Sequence, residues 1–160
     1  MFRHITCLGL STTILCVIWS NVSPLAGLLG WAGFSGCTAY FACPDKGWKG
    51  VKSCVFTLMS GVVYAMLTLW LGNVLTFPGA SIFVALVTVH LMCIQSNIPL
   101  FTYIPGTFFG SFSTFAAGGD WIVIPSLLLG ILLGLGCDKF GTVIFNWIGK
   151  KEEVPNLSEE

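Results

Sequence analysis

Charge is what this sequence has least of. Asp, Glu, Lys and Arg make up 9% of the 160 residues, against 55% hydrophobic residues and a mean hydropathy of +0.88. A soluble domain carries roughly 25% charged residues, so this composition cannot cover a water-facing surface. The chain is expected in a lipid bilayer. Formal net charge is zero, which excludes a general affinity for nucleic acid or another polyanion. Zinc ligation is equally unprovided for, because the seven cysteines include no C-x-x-C pair and no zinc spacing. Their odd number and their place in apolar runs fit buried packing thiols better than a disulfide framework. No serine stands in a pattern with a histidine and an acid, and no Gly-rich phosphate loop follows a strand. No enzyme, cofactor or metal site is expected.

What the chain does contain is apolar runs of membrane length, and they predict an all-α integral membrane protein with six transmembrane helices. The first span follows Arg3 and covers about 5–19. SNVSPLAG offers no good small-x-small cleavage site after it, so a retained span is favoured over a signal peptide. Pro24 is expected to open the second span, which ends near Ala42 and carries Gly27, Gly30, Gly33 and Gly36. The third runs over Val51–Leu71, the fourth over Ala80–Gln95, the fifth from Pro99, and the sixth over Ile122–Cys137. An interfacial helix, or the end of a long tilted sixth span, is expected over 139–148. The charged stretch 150–160 reads as a disordered tail. All seven Lys and Arg residues fall on one side of a six-span arrangement. The positive-inside rule then puts both termini in the cytoplasm.

The stretch around which the rest is organised is Pro105–Trp121, PGTFFGSFSTFAAGGDW. Pro105-Gly106 is expected to break a helix about two turns into the fifth span, and an interrupted backbone in lipid needs protein or water to satisfy it. An echo stands upstream: FSGCTAYFA (34–42) against FFGSFSTFA (108–116), sharing F-x-G-x-x-x-x-F-A. The displacement from Phe34 to Phe108 is about 74 residues, three spans, and it sets Asn21 opposite Gln95. An odd number of spans per copy means inverted insertion, so two inverted three-helix repeats, about 5–71 and 80–137, are expected in a membrane domain over 1–149, with helices 2 and 5 interrupted.

Facing each other near such an axis, spans two and five would offer a solute path. Phe34, Gly36, Thr38 and Tyr40 would line it from the first copy. The second copy would supply Pro105, Gly106 and Phe108, then Gly110, Ser111, Ser113 and Thr114. His90 is the one ionisable side chain inside a span. Hydroxyls, freed carbonyls and aromatics without a mid-span charge suit a small uncharged or weakly acidic solute. The leading expectation is therefore a channel or facilitator, homo-oligomeric. Its alternatives are a non-conducting membrane scaffold or regulator, and a proton-coupled carrier using His90.

Each feature also has a plainer reading. His90 suits a neutral imidazole bonded to a hydroxyl on another helix. Asp45 and Asp120 suit helix caps. Ser126, Gly130 and Gly134, at spacings of four, form a small face for close helix packing. If the chain is a scaffold, the polar wall of spans two and five should be sealed by helix packing rather than line a cavity.

The stretches WAGFSGCTAYFACP (31–44), SGVVYAM (60–66), LMCIQ (91–95) and PGTFFGSFSTFA (105–116) resemble the small bacterial inner-membrane proteins typified by YcdZ, a domain-of-unknown-function family. The likeness runs from the first span through the sixth, and the charged tail departs from it. It implies a multi-pass protein of the bacterial inner membrane. It supplies no substrate and no catalytic residue.

Overall fold

A computed structural model describes the chain from Phe2 to Glu152, and its side chains from His4 to Ile148. Every regular element described is helical: α1 (Phe2–Leu25), α2 (Gly30–Ala42), α3 (Gly47–Val74), α4 (Ala80–Ile94), α5 (Ile104–Ala116) and α6 (Val123–Glu152). Two single-turn 3-10 helices, Gln95–Asn97 and Pro99–Phe101, lie between α4 and α5. Four segments are long and apolar enough to cross a membrane: His4–Leu25, Gly47–Val74, Ala80–Asn97 and Val123–Ile148. α2 and α5 have 13 residues each. At 1.5 Å per residue they rise roughly 20 Å, short of a hydrocarbon core of about 30 Å.

Three boundaries differ from expectation, each for a local reason. Pro24 does not open a helix; it sits in the last turn of α1. The stop is made by Gly27, at φ 67°, where Leu28 N–H donates to the Ser23 carbonyl and Gly27 N–H to that of Pro24. That is a Schellman turn, whose left-handed position glycine fills without a Cβ clash. Pro105 does not break α5 but starts it, in the first turn, where its missing N–H has no partner to lose. The irregular backbone lies ahead of it, in the 3-10 turns. Nor does α6 stop at Asp138-Lys139. It continues through 139–148 as one helix, which is the second of the two expectations for that stretch, the end of a long sixth span rather than an interfacial helix. Of the stretch 150–160, the residues after Glu152 lie outside those described.

Two helix pairs form the centre, and glycine sets their spacing. A Cβ on Gly36 would run into the Leu127 carbonyl, and one on Gly130 into that of Gly33. These contacts lock α2 to α6, with Tyr40 packed over Gly134 farther along both. In the other pair, a Cβ on Gly110 would meet the Leu58 carbonyl and one on Gly61 that of Thr107. They lock α3 to α5. Tyr40, Leu58, Val123, Leu127 and Ile131 fill the core between the pairs. α1 runs antiparallel along α6, Leu8 on Gly141 and the Ser11 hydroxyl donating to the Cys137 carbonyl at 2.7 Å. α4 rests on α3 through Thr88 and Thr68, hydroxyls 3.0 Å apart. All seven cysteines are free thiols.

Candidate functional site

The candidate site is where α2 and α5 meet. Both helices are rich in Gly, Ser and Thr on one side, which brings Ser35 and Ser113 hydroxyls within 2.9 Å. Ser113 and Thr114 are fully buried and Ser111 nearly so. Thr114 donates to its own helix, at the Gly110 carbonyl (2.9 Å), which satisfies the hydroxyl without any ligand. Gly36 and Gly110 face not a cavity but the backbone of α6 and α3, as above. Gly106 is filled by the Thr57 hydroxyl and the Tyr103 ring. The wall is sealed.

Tyr40 is also interior. Its hydroxyl accepts from Gly47 N–H at 2.9 Å and donates to Asp138 Oδ2 at 3.0 Å, tying the start of α3 to α6. The remaining expected lining residues lie on the outside. Phe34, Thr38 and Phe108 are exposed, and Thr38 bonds the Phe34 carbonyl of its own helix. Pro105 and Phe108 border a shallow apolar groove of about 370 Å³ on the outer face of α5. His90 is elsewhere again, on the outer face of α4, with no hydroxyl partner among the described residues. The structure therefore divides the expected path residues among the interior, the outer faces of α2 and α5, and α4.

Ser126 accepts from Leu29 N–H at 3.0 Å, and it belongs with Gly130 and Gly134 to the α2–α6 contact. Asp120 accepts from Ile122 N–H at 3.0 Å, just ahead of α6. Asp45 makes no such cap. It pairs with Lys49 at 2.8 Å on the exposed first turn of α3.

A polar cluster that residue pattern did not single out joins three elements. The Gln95 amide donates to Thr107 at 2.7 Å and to Ser60 at 3.2 Å. Tyr103, almost fully buried, donates to the Ala39 carbonyl at 2.9 Å. The available signal was a lone amide beside an apolar run. Asn21, its expected counterpart, stays on the surface and bonds its own helix at Val17. Trp19 instead points inward, its ring over Gly33 and its Nε1–H on the Gly30 carbonyl at 2.9 Å. Among the described residues no three His, Cys, Asp or Glu side chains converge as a metal centre requires.

Long apolar helices locked by glycine contacts, with hydroxyls turned inward and phenylalanines outward, define an integral membrane protein of the all-helical class. Residues 9–142 match the family described as protein of unknown function (DUF1097), and the chain belongs to that family. It is 46% identical over 138 residues to the inner membrane protein YcdZ of Escherichia coli, covering 84% of this chain and 83% of that one. It is 41% identical over 150 residues to the protein of the same name from Salmonella typhimurium, covering 91% and 90%. The resemblance carried by the motifs is thus established. No solved structure matches the chain.

Proposed function

We propose that this chain is a non-conducting component of the bacterial inner membrane that scaffolds or regulates a partner. In this reading it crosses the bilayer six times as two inverted three-helix halves, with both termini cytoplasmic and no catalytic step. The observation that carries the proposal is the sealed wall. Gly36 and Gly110 are met by the backbone of neighbouring helices, and the buried hydroxyls of Ser113 and Thr114 are satisfied within the protein. The grooves along α5 and α4 lie on apolar outer faces, and one beside Asp45 and Lys49 lies at the start of α3.

Support for inverted halves comes from paired contacts. Gly36 stands to the Leu127 carbonyl as Gly110 stands to that of Leu58. Gly130 stands to the Gly33 carbonyl as Gly61 stands to that of Thr107. Ser11 on the Cys137 carbonyl has Thr88 on Thr68 as its counterpart. The orientation is supported by the lysines. Lys46, Lys49 and Lys52 surround the start of α3, and Lys139 lies over the Trp48 ring, 5.6 Å from its centroid. The connections 26–29, 75–79 and 117–122 hold no Lys or Arg.

One observation favours a second reading, a facilitator for a small uncharged or weakly acidic solute. The hydroxyls of Ser35 and Ser113 and the Gln95–Thr107–Ser60 cluster would become a polar path if α2 and α5 parted. The proton-coupled variant draws nothing from His90, which lies apart from these groups. Stopped-flow light scattering on liposomes, with small polyols, amides and weak acids, separates the two. The scaffold reading expects every shrinkage rate to equal that of protein-free lipid. Faster permeation of any solute, abolished by tying Ser35→Cys to Ser113→Cys, would replace it with the facilitator.

A further inference from the structure

α4 is little buried: of the membrane-length segments only that of α1 has a smaller buried share. It buries Ala80, Val84, Thr88 and Met92, one residue per turn. The opposite face, with Ile82, Leu86, Val89, His90 and Cys93, is exposed and borders a shallow groove of about 550 Å³. His90 is ten residues along from Ala80, so it stands about 15 Å down the helix, half of a hydrocarbon core of about 30 Å. No described side chain hydrogen-bonds it. A single copy in lipid therefore presents an imidazole to acyl chains near the middle of the bilayer. Ionisable residues inside membrane spans almost always face protein or a water-lined cavity, because lipid offers them no partner.

We propose that a second copy of this chain covers this face of α4, in a parallel α4–α4 contact where the two His90 imidazoles hydrogen-bond each other. The chemistry selects a like partner. A neutral imidazole carries one N–H donor and one bare nitrogen acceptor, so two identical rings complement each other. An isologous two-fold contact brings like residues together. Two copies inserted the same way hold His90 at the same depth, whereas a foreign helix would need its own polar group at that level. The face also has the shape for it. Ile82, Ala85, Leu86 and Val89 repeat at intervals of three and four, the seam of a left-handed helix pair, and Ala85 permits close approach. The inference rests on neither functional reading.

Cys93 supplies the test. It lies one turn past His90 on the same face and is the exposed one among the seven thiols. Oxidation of the full-length protein in native membranes should give a covalent dimer that Cys93→Ser abolishes. His90→Leu should lower the crosslinked fraction about threefold, the usual size of one polar interhelical contact. His90→Asn, which keeps a donor and an acceptor, should restore it. Both side chains are exposed, so these variants leave the protomer folded, which size-exclusion profiles in detergent would verify. Phe112→Cys in a Cys93→Ser background, on the outer face of α5, should not crosslink. Absence of the Cys93 dimer, indifference to His90→Leu, or equal crosslinking through position 112 would each overturn the proposal.

Discussion

α1 and α4 are the two outer helices, and they differ in how fully they are used. α1 follows α6 for much of its length. The His4 ring meets Phe145 edge-on at 5.2 Å, Leu8 covers Gly141, and Ser11 bonds the Cys137 carbonyl. α4 has 15 residues against 24 and touches α3 along one narrow line. The inner pairs do not differ in this way. α2 against α6 and α5 against α3 repeat the same glycine-to-carbonyl contacts. The centre is held by backbone meeting backbone, where no side chain can be added and the arrangement has little latitude. The outer helices are held by side chains, and both leave most of their surface toward the membrane.

The sharpest way to break that comparison is to fill the centre. Gly36→Val and Gly110→Val should each cost about 3 kcal/mol or more, because the new atoms meet carbonyl backbone that cannot yield as a flexible side chain would. Thermal unfolding in detergent would measure it. The two losses should be alike; a mild result in one pair only would show that the centre is not built twice. Gly9→Ala and Gly72→Ala, which have nothing within 4 Å of the new Cβ, are the controls and should leave Tm unchanged or slightly raised.

The next contacts do the same job with different groups. On the α1 side an indole lies over Gly33. On the α4 side the Gln95 amide reaches Thr107. Trp19→Ala should cost about 2–3 kcal/mol, since it empties the volume over Gly33 and removes the indole bond to the Gly30 carbonyl. Gln95→Leu should cost about 1 kcal/mol, the value of a hydrogen-bonded amide whose partners can turn to other acceptors. Equal losses from the two would mean that the amide cluster carries more of the fold than its geometry implies.

How much of this was legible in the sequence depends on what each signal means physically. Scarcity of charge identified the lipid environment, and apolar runs located the long helices, though α1 runs on to Leu25 and α6 well past Cys137. Glycine and proline were harder. Pro24 and Pro105 each announced a boundary, but a proline near a helix end and a proline at a helix start look the same without their carbonyl partners. The stop after α1 belongs to Gly27, whose φ of 67° is a conformation and not a pattern. Asp138-Lys139 read as the headgroup level that ends a span. α6 continues because Asp138 is taken up by Tyr40 from α2, a contact that spacing along one helix cannot reveal. The small wall of α2 and α5 was the least legible part. A glycine that opens room for a solute and one that admits a neighbouring backbone are the same letter. Only the position of the Leu58 and Leu127 carbonyls distinguishes them.

The smallest expected effect is the one most informative about that wall. Ser35 and Ser113 meet where α2 and α5 approach each other, and a hydroxyl pair between membrane helices contributes about 0.6 kcal/mol by double-mutant cycles, up to roughly 1.7. Ser35→Ala, Ser113→Ala and the double variant should give a coupling in that range from thermal unfolding. A value there means that the hydroxyls serve each other and the wall is a packing surface. Coupling near zero would mean that the two hydroxyls are spare. Spare hydroxyls buried between short helices have a reason to be retained only if something polar passes them, which is the condition the facilitator reading needs.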